Sequence, residues 1–95
     1  MVMFVPGAGA IVRGRVIVER DGKELDASYG DIVLDHPPLR GPLGHGGIFE
    51  LEPVPPGRHT GLVELDGRRC KLTFVVPDGQ REVNVGTVRC REEGP

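Results

Sequence analysis

Apolar and polar residues alternate with a period of two along most of this chain. No window of eleven or more residues carries apolar positions at helical spacing without an intervening Gly or Pro. In AIVRGRVIVER, Val12, Gly14, Val16 and Val18 share one face, while Arg13, Arg15, Ile17 and Glu19 share the other. Asp21-Gly22 follows at once as a hairpin turn signal. Residues 29–34 (YGDIVL) form a second candidate strand, ended by Asp35-His36-Pro37-Pro38. Residues 37–47 hold three prolines and four glycines in eleven positions, which predicts a loop. In GGIFELEPVPPGRH, Phe49 and Leu51 point to a core face, and Ile48, Glu50 and Glu52 point the other way. Val54-Pro55-Pro56-Gly57 then ends the run as a turn, since neither proline donates to a ladder. Three more strands are predicted over 59–65, 68–76 and 81–90, joined by Asp66-Gly67 and by Pro77-Asp78-Gly79-Gln80.

About six short strands with turns every eight to twelve residues predict an all-β fold, a small antiparallel β-sandwich. The 15 glycines and nine prolines agree with many turns and argue against long helices. At 95 residues the chain is one small domain with a modest core. The sandwich is expected over 8–91, after a linker at 1–7 and before a disordered tail at 92–95. The apolar start MVMFVPGAGAIV is too short to cross a bilayer and lacks the basic opening and long apolar middle of a signal peptide. Net charge is −2 with no basic block, and there is one Tyr and no Trp, so nucleic acid is not an expected partner.

Little in the sequence asks for catalysis. There is no G-x-S-x-G and no Walker loop, and Gly7-Ala8-Gly9-Ala10 lacks the third glycine of a dinucleotide turn. Ser28 is the only serine and has no neighbouring His to act as base. Asp35, His36 and His45 could hold a metal; two solvent histidines in a loop is the favoured reading. Glu50 and Glu52 read as a solvated strand face, and Arg13, Arg15, Arg68 and Arg69 as small basic groups that could meet an acidic partner. No catalytic residue, metal ligand or cofactor is therefore expected. Cys70 shares parity with Leu72 and Phe74, and Cys90 with Val88 and Gly86. If strands 68–76 and 81–90 form a hairpin, the two thiols lie roughly opposite and within disulfide reach. Two buried free thiols are the alternative.

Two patterns resemble known families. GAIVRGRVIVERDGKEL with GIFELEPVPPGRHTGLVEL resembles the transthyretin-like, carboxypeptidase-regulatory class of small β-sandwich. The stretch from PLGHGGIFELEPVPPG through Cys70 and Pro77 to Val85-Gly86-Thr87-Val88-Arg89-Cys90 resembles the C-terminal periplasmic domain of chaperone–usher outer-membrane ushers. Pro53 and Val54 depart from it, standing where that family more often carries a polar residue and Leu. The resemblance covers about residues 8–91. It implies a Cys70–Cys90 disulfide, a periplasmic location at the outer membrane as one domain of a longer protein, and a non-catalytic part in pilus assembly and secretion. The implied partners are chaperone–pilin subunit complexes and other domains of the same usher, with the isolated domain monomeric. A generic binding or adhesion module of a secreted or cell-surface protein is the alternative. Docking needs an exposed face. Leu39, Leu43 and Ile48, on or beside the Pro/Gly loop, are the candidate apolar residues, with Arg68 and Arg69 as electrostatic support; leucines packed under the loop are the competing reading.

Overall fold

The computed structural model describes residues 9–35 and 38–92. These form eight strands and one 3-10 turn at His45–Gly47. The strands are β1 (Ala10–Arg20), β2 (Lys23–Asp26), β3 (Asp31–Leu34), β4 (Leu39–Pro42), β5 (Ile48–Val54), β6 (Gly57–Leu65), β7 (Arg68–Val76) and β8 (Glu82–Arg91). The predicted all-β class is correct. The strands make one hydrogen-bonded sheet in the order β2-β1-β8-β7-β6-β3-β4, with β5 also on β1. That sheet curls over on itself. One layer is built around β1, flanked by β8 and by β2 and β5; the other is β7-β6-β3-β4. Phe49 of the first layer meets Phe74 of the second at a ring separation of 6.3 Å.

Alternation drives the packing. Val12, Val16, Val18, Ile32, Leu34, Phe49, Leu51, Val63, Leu72, Phe74 and Val76 are all buried, each from the inward parity of its strand. Asp21-Gly22 and Asp66-Gly67 take positive φ at both residues (54°, 77° and 55°, 75°), the type I′ geometry that two-residue hairpins need. Gly47 lies at φ +82°, and a Cβ there would stand 2.4 Å from the Val16 carbonyl oxygen. Only glycine lets the chain entering β5 pass this close to β1.

Three expectations are corrected. Residues 39–42 are not loop: they form β4, paired with β3 from Leu34↔Leu39 to Asp31↔Pro42. An edge strand needs a ladder on one side only, which tolerates Pro42 at its end. Secondly, the sandwich is not wholly antiparallel, because β8 runs parallel to β1 from Ile11↔Glu82 to Glu19↔Arg91. The expected hairpin between β7 and β8 is in consequence reduced to a single rung, Lys71↔Arg91. The turn after Val76 carries the chain out of one layer and into the other, where β1 offers a far longer ladder. Thirdly, Gly86 does not share the inward face of Cys90. It is exposed at φ +72°, and its N–H donates to Asn84 Oδ1 at 2.7 Å. The β1–β8 register shifts between Arg13 and Arg15, so a bulge resets parity midway along β8.

Of the tail expected at 92–95, only Glu92 is described. Residues 1–8 and 93–95 lie outside the described residues, but Glu92 is not loose. Its N–H donates to the Glu19 carbonyl (3.0 Å), and its carboxylate accepts two hydrogen bonds from Arg20, at 2.8 and 2.6 Å.

Candidate functional site

The two cysteines are joined. Cys70 on β7 and Cys90 on β8 form a disulfide with Cα atoms 5.6 Å apart. Cys70 stands opposite Val63 on β6, and Cys90 opposite Val18 on β1. The bond thus ties the two layers together at the corner where the ladder has thinned to Lys71↔Arg91. Both sulfur-bearing residues are buried.

The five residues suggested for docking do not form one patch. Leu43 is 1% exposed and belongs to the core, so its expected accessibility is corrected. Its backbone explains this: Leu43 N–H donates to the Gly30 carbonyl and its own carbonyl accepts from Tyr29 N–H (2.8 and 2.9 Å), which folds the loop inward. Leu39 is half-buried against the core, opposite Leu34. Arg69 lies opposite Glu64, which pairs with Asp31 at the other end of β3. Ile48 is exposed, but on β5 in the other layer, across from Arg15.

Arg68 and Arg69 do share a surface, with a residue that alternation had placed in a strand. Tyr29 precedes β3, holds φ at +67° and is 76% exposed. An open, mostly polar depression of about 780 Å³ lies between residues 28–31 and the β6–β7 turn, residues 64–69. Local hydrogen bonds set this loop. Asp26 Oδ1 accepts from the N–H and hydroxyl of Ser28, and Gly46 N–H donates to Ser28 Oγ at 2.7 Å. The Ser28 hydroxyl bond, then its N–H, hold the Asp26 carboxyl below its ordinary range. The Tyr29 hydroxyl lies 3.5 Å from His45 Nδ1. Arg68 reaches Glu92 at 3.5 Å, and Arg69 has no ion pair among the described residues.

Of the remaining candidates for chemistry, Arg13 and Glu50 are engaged structurally. Arg13 spans two strands, donating to Glu50 on β5 and Glu82 on β8, both at 2.8 Å. Arg40 lies between Asp31 and Glu64. His36 lies outside the described residues, and among those described no three His, Cys, Asp or Glu side chains gather as metal ligands. His59 was missed: it is buried, donates from Nε2 to the Pro55 carbonyl at 2.7 Å and packs on Phe74. It anchors the Pro55-Pro56 corner. Among the described residues no helix is long and apolar enough to cross a membrane. No protein-family model and no curated protein matches the sequence.

Proposed function

We propose that this chain is a non-catalytic docking domain of the usher C-terminal type, lying on the periplasmic side of the outer membrane and helping to hold chaperone–pilin subunit complexes during pilus assembly. The observation that carries this reading is the Cys70–Cys90 bridge. It joins the two cysteines of the usher-like pattern, and such bonds persist in oxidising compartments such as the periplasm. Supporting it, Gly47 and Pro55-Pro56-Gly57, the glycine and the corner of the same pattern, bound a strand whose Phe49 and Leu51 fill the core. Six of the 12 basic residues pair with carboxylates among the described residues, as in a scaffold. Arg68, Arg69 and Tyr29 are the surface on which docking is expected.

Isothermal titration of the oxidised chain with chaperone–pilin complexes tests this. Saturable binding, weakened when Arg68→Glu and Arg69→Glu are combined, supports the proposal. A folded, oxidised chain that binds none of the complexes argues against it. A second reading, a generic binding module of a secreted or cell-surface protein, draws on the polar depression beside Tyr29, which could take a ligand unrelated to pili.

A further inference from the structure

Strand register gathers the outward side chains of β3, β4, β6 and β7 on one face of their layer. Val33 on β3 stands opposite Leu62 on β6 and Arg40 on β4, and Leu62 stands opposite Lys71 on β7. Along the β6–β7 ladder Thr60 is opposite Thr73 and Arg58 is opposite Val75, while Glu64 meets Arg69 near the Asp66-Gly67 turn. Partners in an antiparallel pair project to the same side, and the other parity (His59, Val63, Leu72, Phe74) is buried. These residues therefore share the outer surface. Apolar groups run through it: Val33 and Leu62 are half-buried, and Val75 is 61% exposed.

The charges on this face do not balance. Its ladder carboxylates, Asp31 and Glu64, are both taken by Arg40, at 3.4 and 3.2 Å. Asp35, past the last rung of β3, pairs with none of the cations. Arg58, Arg69 and Lys71 are exposed and have no ion pair among the described residues. Three such cations beside apolar positions, on a chain of net charge −2, match an occupant that is both acidic and apolar. Size narrows the choice. At about 3.3 Å per residue and about 4.8 Å between strands the face spans roughly 20 by 14 Å, or about 300 Å², against roughly 800 Å² per partner in a stable folded pair. A single secondary-structure element fits it. An extended segment laid on these side chains would leave its backbone N–H and C=O groups unpaired, whereas a helix satisfies its own. We infer that this face binds one acidic amphipathic helix of a partner protein, its apolar stripe on Val33, Leu62 and Val75 and its carboxylates on Arg58, Arg69 and Lys71. This surface needs only its own residues, and it stands whether or not the chain belongs to an usher.

The test uses the oxidised full chain and a capped peptide of about 14 residues, the length of a helix about 20 Å long, with a Leu stripe flanked by Glu. Controls are the same peptide with Lys in place of Glu, and one of equal composition with the stripe scrambled. NMR should show the methyl groups of Val33, Leu62 and Val75 shifting with the acidic amphipathic peptide, which should become helical by circular dichroism. Arg58→Glu combined with Lys71→Glu should raise the Kd about tenfold, and Val75→Asp should do the same. Melting temperatures should stay near that of the wild type, because these side chains are exposed. Arg58, Lys71 and Val75 lie outside the surface proposed for pilin complexes, so failure of either proposal is read separately. Absence of binding at millimolar peptide, equal binding of either control, shifts confined to other faces, or a Kd unmoved by the variants would each overturn the inference. Shifts of the same methyls on concentrating the chain alone would overturn it too, by making a second copy the occupant.

Discussion

Gly47 and Glu92 show how single residues set this molecule. Gly47→Ala must bring a Cβ against the Val16 carbonyl at φ +82°, and it is expected to lower stability by about 1–3 kcal/mol, read from urea unfolding. Phe49→Ala, which empties a fully packed site between the layers, should cost about 3–5 kcal/mol in the same assay. Glu92 titrates below the ordinary carboxylate range because Arg20 donates two hydrogen bonds to it and adds its charge, with Arg68 helping. A depressed folded pKa means that its stabilisation is complete above the unfolded glutamate value of about 4.3 and is lost as pH falls through the lower folded value. The stability gap between the wild type and Glu92→Gln should therefore be constant near neutrality and close in acid; a gap independent of pH would refute the pairing. Phe49 and Leu51 were legible because alternation marks inward positions directly. Tyr29 and His59 were not, because a positive φ and a side-chain bond to the Pro55 carbonyl leave no periodic trace.

At the scale of elements, what local rules govern was readable. The span of β7 matches its expected bounds, and both Asp-Gly turns close hairpins as their chemistry requires. What depends on neighbours was not. The glycine and proline content that argued against a strand at 39–42 lost to an edge position, where Arg40 also pairs with Asp31 and Glu64. The parallel ladder of β8 on β1 was missed because a turn at residues 77–80 says nothing about which layer the chain enters next. The disulfide was reached through a hairpin that barely forms: the thiols meet because two layers converge at a corner. Its loop of 20 residues gives a stabilisation of about 3 kcal/mol by chain entropy, a large part of what a small domain has. Replacing both cysteines by Ser should lower the unfolding free energy by about that amount, with β7 and β8 loosening first in amide exchange.

For the whole molecule, six of the 12 basic residues form ion pairs with carboxylates among the described residues, spread over the surface rather than gathered into one block. Each such surface pair contributes little, on the order of 0–1 kcal/mol. Burial between the layers and the bridge at their corner carry the fold. Residue-specific amide exchange on the free, oxidised chain tests this most directly. Leu72 and Phe74, whose N–H groups face β6, and Cys90 on the bridged strand should exchange slowly, and much faster once the bridge is reduced. Fast exchange at these positions in the oxidised chain, or rates unchanged by reduction, would contradict this account.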